Sequence, residues 1–125
     1  MILGIGHDLV DINRIRRLLK LYIDQLPLKV LSSEELAVYS LKSNKTSYLA
    51  KRFAAKEALV KALGIGLRKP LYMTNISVLN DNLGRPYFKF SPEITDVLAS
   101  YKISKIHLSL SDEREMASAV VLLDS

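Results

Sequence analysis

The chain has 125 residues, 49% apolar and 25% charged, a size and balance that suit one globular domain over residues 1–125 and exclude a disordered chain. It has no cysteine, which excludes disulfide frameworks and thiolate metal sites. An excess of 18 basic over 13 acidic side chains favours an anionic partner, without choosing among nucleic acid, a phosphorylated ligand and an acidic protein.

Residues 1–10 open as an apolar strand carrying Gly4 and Gly6, then Asp8 among Ile5, Leu9 and Val10. Aspartate is depleted in strands and rarely buried alone, so Asp8 is either paired with a cation or set at a strand end facing solvent. His7 beside it reads as an ordinary polar side chain. Asp11 or Asn13 can cap a helix reaching about residue 25, with Ile12, Ile15, Leu18, Leu19, Tyr22 and Ile23 at helical spacing. On its other face Arg14, Arg16, Arg17 and Lys20 form a basic stripe, either a solvated surface or a docking site for an acidic helix or a phosphate. Pro27 is expected to end that helix, and Ser32 with Glu35 forms a capping box for a short helix to about residue 40.

Residues 41–47 read as a polar loop in which Thr46 or Ser47 can cap a long helix. That helix is the functional centre of the chain. Ala54, Ala55, Ala58, Leu59, Ala62 and Leu63 favour it, and Gly64 stands where a C-cap glycine is expected. Phe53, Glu57, Val60, Lys61 and Gly64 recur at three- and four-residue spacings, which sets a carboxylate and an ammonium among apolar residues. The plain explanation is a surface Glu57–Lys61 pair worth about 0.2–0.5 kcal/mol; the alternative is a functional partner for Glu57. Gly64-Ile65-Gly66 follows a helix instead of opening one, so it is no dinucleotide fingerprint.

Residues 75–80 and 87–90 alternate apolar and polar side chains about the turn Asp81-Asn82-Leu83-Gly84, a β-hairpin. Ser91 as cap and Pro92 at the first position start a helix to about residue 101. Residues 106–111 alternate strictly, the turn 112–115 is polar, and residues 116–123 form a final, largely buried strand. That apolar run is too short to span a bilayer, and the N-terminus lacks a secretion-signal pattern, so a cytoplasmic protein with no membrane partner is expected. The order strand, three helices, hairpin, helix, hairpin predicts an α+β fold, a mainly antiparallel sheet packed with helices.

Asp8 and Glu57 are the acids embedded in apolar stretches, one on a strand and one on a helix that must pack together in so small a domain. Two converging carboxylates suit magnesium, which takes one or two protein carboxylates and completes its shell with water and phosphate. Arg52, Lys56 and Lys61 can neutralise further phosphate charge. The residues alone thus suggest metal-assisted chemistry on a phosphorylated ligand.

Gly4-Ile5-Gly6-His7-Asp8-Leu9-Val10-Asp11-Ile12 with Arg14-Ile15, and Arg52-Phe53-Ala54-Ala55-Lys56-Glu57-Ala58 through Lys61-Ala62-Leu63-Gly64, resemble the two signature motifs of the holo-acyl-carrier-protein synthases, the small-form 4′-phosphopantetheinyl transferases. Ile106 to Arg114 followed by Ala117 and Ala119 resembles that family's closing hairpin, so the likeness covers nearly the whole chain. It implies transfer of the phosphopantetheine arm from coenzyme A to a serine of apo acyl carrier protein, for fatty acid biosynthesis, with release of adenosine 3′,5′-bisphosphate. By motif position it makes Asp8 and Glu57 catalytic magnesium ligands and brings Lys61 to the phosphates. Arg52, Lys56, Gly64 and His107 are assigned to coenzyme binding, and Arg14, Arg17 and Lys20 to the carrier protein. Glu57 is the candidate to take the serine proton, preferably through a water. Asp112 stands where many members carry a second histidine, so no role of that histidine transfers. The family's habit of forming homotrimers, with coenzyme between neighbouring subunits, is implied too.

Two rivals come from other classes. A nucleic-acid-binding module fits the charge, but few aromatic residues adjoin the basic stripe and the embedded acids would repel phosphate; no nucleic acid partner is expected. A non-catalytic relative would bind carrier or coenzyme without transfer.

Overall fold

The computed structural model describes residues 1–125. The chain runs β1 (Ile2–Asp11), α1 (Ile12–Leu21), α2 (Gln25–Val30), α3 (Ser33–Leu41), α4 (Lys45–Leu63), a short 3-10 turn (Met73–Asn75), β2 (Ile76–Asn80), β3 (Pro86–Phe90), α5 (Pro92–Ser100), β4 (Lys105–Asp112) and β5 (Met116–Asp124). The strands make two antiparallel sheets, a three-stranded one in the order β1-β5-β4 and the hairpin β2-β3. The α+β layout expected from the sequence is thus observed, with the strands split between two sheets. No helix is long and apolar enough to cross a membrane.

The inner face of the larger sheet is built to receive α4 at very short range. Ala117, Ala119, Val121 and Leu123 of β5 are buried against it, and Ala54, Ala55, Ala58 and Leu59 of α4 have no exposed surface. Small side chains on both partners let the backbones approach. On β1 the approach is closer still: a Cβ on Gly4 would lie 2.3 Å from the Ala62 carbonyl oxygen, and one on Gly6 only 1.8 Å from that of Ala58. Both glycines are therefore required by contact, and they set the height of α4 over β1. Asp8, two residues beyond Gly6 on the same face, is carried to the flank of the helix.

Local signals explain most element boundaries. Ser32 and Glu35 form the expected capping box on α3, and Gly64 closes α4 in the left-handed region at φ 74°. In the hairpin turn the Asp81 carboxylate accepts from the amides of Leu83 and Arg85 at 2.9 and 2.8 Å, fixing the reversal.

Three boundaries differ from expectation. The basic helix stops at Leu21, and the chain forms α2 before α3, giving four helices ahead of the hairpin. Pro27 lies inside α2, at its third position, where a missing N–H costs nothing because the first-turn amides have no intrahelical acceptor. Asn44, not Thr46 or Ser47, caps α4, its side-chain oxygen accepting from the Ser47 amide at 3.1 Å. Ser91 occupies the cap position of α5, yet its hydroxyl makes no capping bond.

Candidate active site

Three side chains meet where α4 crosses β1. Lys61 Nζ lies 2.9 Å from Asp8 Oδ1 and donates to the His7 carbonyl at 3.1 Å. The Asp8 side chain is only 13% exposed, whereas that of Lys61 is 54% exposed. Asp8 is thus paired with a cation, the first of the two alternatives that an acid in an apolar strand allows. Lys61 reaches across to the strand, so the Glu57–Lys61 surface pair gives way to a tertiary one. Glu57 is half-buried beside them, and burial raises its carboxyl above the ordinary range. The Asp8 charge raises it further, while Lys61 pulls it down. Two acids that repel one another, with a single ammonium near them, form a site that favours a cation. No third acid, histidine or cysteine completes a cage around them. A two-carboxylate donor set of hard oxygens fits magnesium, which leaves most of its positions to water and phosphate.

Lys56 is a correction. Expected at the coenzyme, it is fully buried on the other side of α4, where Nζ donates to Glu35 Oε1 at 2.6 Å, the Val30 carbonyl at 2.6 Å and the Met73 carbonyl at 2.8 Å. All three ammonium protons are used, and none is left for a phosphate. Burial pushes Lys56 down from the usual lysine range, and Glu35 pulls it back. Glu35 is itself wholly buried and also accepts from the amides of Ser32 and Val78, both at 2.9 Å. Its part in the capping box was legible in the sequence; its partnership with Lys56, 21 positions away, was not.

Arg52 lies elsewhere. It is five residues before Glu57, about 140° around the helix at 3.6 residues per turn. It is 5% exposed, donates from Nη2 to Asn80 Oδ1 at 2.7 Å, and stacks 4.2 Å from the Tyr48 ring centroid. Its Nε has no partner. It lines a polar cleft of about 340 Å³ with Lys42, Asn44, Ser47, Lys51 and Asn80. Apart from Arg52, these residues carried no sequence motif and come together only through the fold.

His107 sits on the outer face of the large sheet, in register with Leu122 and, through it, Ile5. Its Nε2 is 3.9 Å from Asp124 Oδ2, and within one chain it lies across the sheet from Asp8. Gly64 is exposed at the helix end, with its conformation accounted for by the cap. Arg14, Arg17 and Lys20 are exposed on α1, and none of them is engaged in an ion pair. Beside them Arg14, Ile15, Leu18, Leu26, Leu49 and Phe53 line an apolar recess of about 150 Å³.

Residues 4–121 match the 4′-phosphopantetheinyl transferase superfamily. The chain belongs to that superfamily. Within it the chain is a member of the holo-[acyl-carrier-protein] synthase family and is a transferase of that kind. It is 47% identical over 124 residues to the holo-[acyl-carrier-protein] synthase of Nitrosospira multiformis, covering 99% of each chain. The crystal structure of the Neisseria meningitidis synthase is similar at TM-score 0.97 and 40% identity, with all of both chains covered. A Bacillus anthracis synthase in complex with CoA (3′,5′-ADP) is similar at TM-score 0.81 and 36% identity, covering 100% of this chain and 98% of that one.

Proposed function

We propose that this chain transfers the 4′-phosphopantetheine arm of coenzyme A to a serine of apo acyl carrier protein, with magnesium held by Asp8 and Glu57. The observation that carries this reading is the convergence of Asp8, Glu57 and Lys61, fixed by the Gly4 and Gly6 contacts with α4. When bound, magnesium would supply Lewis-acid stabilisation of charge on the pyrophosphate. Lys61, half-exposed on a flexible stem, is free to turn from Asp8 to a phosphate oxygen and to offset the charge that builds on the leaving group. The serine oxygen forms a bond to the phosphorus of the pantetheine phosphate as the bond to adenosine 3′,5′-bisphosphate breaks. Glu57 accepts the serine proton through a water, the preferred route because a carboxylate that holds magnesium is itself a weak base.

The coenzyme carries a second anionic group, the ribose phosphate, and the Arg52 cleft suits it. That cleft and the Asp8–Glu57 pair face different sides of α4, so we propose that one coenzyme is shared between neighbouring copies of the chain in a homotrimer. The outer face of the large sheet supports this, because Leu3, Ile5 and Leu9 of β1 are exposed, Ile5 by 65%. His107 stands on that face, where it would meet the neighbouring copy and its coenzyme. Arg14, Arg17 and Lys20, with the apolar recess beside them, suit the acidic, partly apolar helix of a carrier protein. A cytoplasmic location goes with this reading.

The test is the intact mass of an apo acyl carrier protein incubated with this protein, coenzyme A and magnesium. A gain of roughly 340 Da, one phosphopantetheine group, is expected, and it should vanish with chelator and with Asp8→Ala protein. Binding of coenzyme A without any mass gain on several carriers would favour the non-catalytic reading.

A further inference from the structure

Two residues that line the Arg52 cleft, Ser47 and Lys51, are already held from outside it by an anion of the protein's own. Asp112, the last residue of β4, accepts a hydrogen bond from Ser47 Oγ at 3.2 Å and lies 3.8 Å from Lys51 Nζ. Ser47 is in the first turn of the 19-residue α4, where the helix end carries partial positive charge. Ser47 and Asn44 form the wall between the Arg52 cleft and an adjoining polar recess of about 330 Å³, which Asp112 lines with Arg16 and Arg114. Hydroxyl donor, helix end, lysine and flanking arginines are what a phosphate oxygen would seek. Across the shared wall lies Arg52, which lines the cleft, is 5% exposed and has an Nε with no hydrogen-bond partner. The carboxylate therefore uses positive potential that a bound phosphate would otherwise receive in full.

We propose that Asp112 is a specificity-determining residue: it is an internal counter-ion that holds Ser47 and Lys51 and lowers the affinity of the cleft for the ribose phosphate of coenzyme A. The inference rests on the coenzyme reading above and adds a residue that acts on one phosphate of the substrate. Lys51 is 29% and Asp112 40% exposed in their side chains, so the pair can open and exchange partners with little desolvation cost. Without a ligand, Asp112 keeps Lys51 drawn to β4. With one, the phosphate competes for Lys51 and meets a like charge at the rim.

The test compares Asp112→Asn with the unaltered protein, since asparagine keeps an acceptor for Ser47 and removes only the charge. KM for coenzyme A should fall about fivefold, the size expected for one like charge near a partly exposed phosphate. KM for 3′-dephospho-coenzyme A, which lacks that phosphate, should change by less than about twofold on the same grounds. Calorimetric titration gives a readout free of turnover: adenosine 3′,5′-bisphosphate should bind the variant about fivefold more tightly, and adenosine 5′-monophosphate no more tightly. Equal shifts for both coenzymes, or no shift, or a rise in KM for coenzyme A, would overturn the proposal. If asparagine impairs folding, Asp112→Ser carries the same comparison. Absence of any transfer by the unaltered protein would instead strike at the coenzyme reading itself.

Discussion

Lys56 and Lys61 leave the same helix five residues apart, and each meets one carboxylate at nearly equal distance, 2.6 Å to Glu35 and 2.9 Å to Asp8. Their surroundings separate them. The Lys56–Glu35 pair has no exposed side-chain surface, and its remaining hydrogen bonds reach α2, the 3-10 turn, the start of α3 and β2. The Lys61–Asp8 pair lies at a flank open to solvent, with a second acid alongside and an ammonium free to move. A saturated pair in a dry interior fixes backbone segments relative to one another. An unsaturated pair at a surface can release its ammonium to a ligand and accept a metal. Similar residues on one helix are thus set in a structural and in a ligand-accessible surrounding, and hydrogen-bond satisfaction separates the two.

Breaking the buried pair should have the largest effect. Lys56→Met strands the Glu35 carboxylate in the interior and is expected to cost about 3–5 kcal/mol in urea unfolding. Variant protein that stays folded should bind coenzyme A normally, because the Lys56 ammonium is wholly buried and spends its three protons inside the core. Lys61→Met should invert that outcome. Its pair is half-exposed on the lysine side and should contribute less to stability than the buried one, while loss of charge stabilisation at phosphorus should lower kcat/KM at least about a hundredfold. A Lys61 variant as unstable as the Lys56 variant would contradict the distinction between the two pairs.

Smaller effects sharpen it. Arg17→Ala should raise KM for the carrier protein severalfold at low salt, the effect fading as salt screens the helix surface, with KM for coenzyme A unmoved. A shift in both constants would remove the basic face of α1 from carrier docking. The pH dependence of stability should be the least conspicuous. The folded-state pKa of Glu57 is raised above the ordinary 4.5, so folding binds a proton between those two values. Metal-free protein should then lose stability as pH rises from about 4.5 through the raised value, and Glu57→Gln should flatten that slope. Magnesium should bind more tightly over the same rise, as it displaces that proton; affinity independent of pH in this window would argue against Glu57 as a ligand.

Much of the candidate site was legible in the chain because it depends on local pattern. Asp8 stood out as an acid among apolar strand residues, Glu57 and Lys61 as charges on an otherwise alanine-rich helix, and the basic stripe of α1 as a spacing. Capping boxes, turn residues and C-cap glycine act within a few positions of one another, so α3, the first hairpin and the end of α4 could be read directly. Lys56 could not be read that way. Next to Glu57 in sequence, it resembles another phosphate ligand until the helix is docked and the step of about 100° between neighbours turns it off the Glu57 face and into the interior. The split into two sheets and the insertion of α2 are likewise outcomes of packing.

The sequence by itself determined most element types, the α+β class and the identities of the candidate site residues, since these follow from spacing, turn chemistry and residue type. Only the tertiary structure decided which lysine is buried, which acid it meets, and that Arg52, Ser47, Lys51, Asn80 and Asp112 lie around one wall of α4. The physical reason is that burial and hydrogen-bond saturation are properties of contacts between distant segments. Gly4 and Gly6 show where the two kinds of information join: present in the sequence as small residues, they acquire their meaning from a helix backbone less than one side chain away.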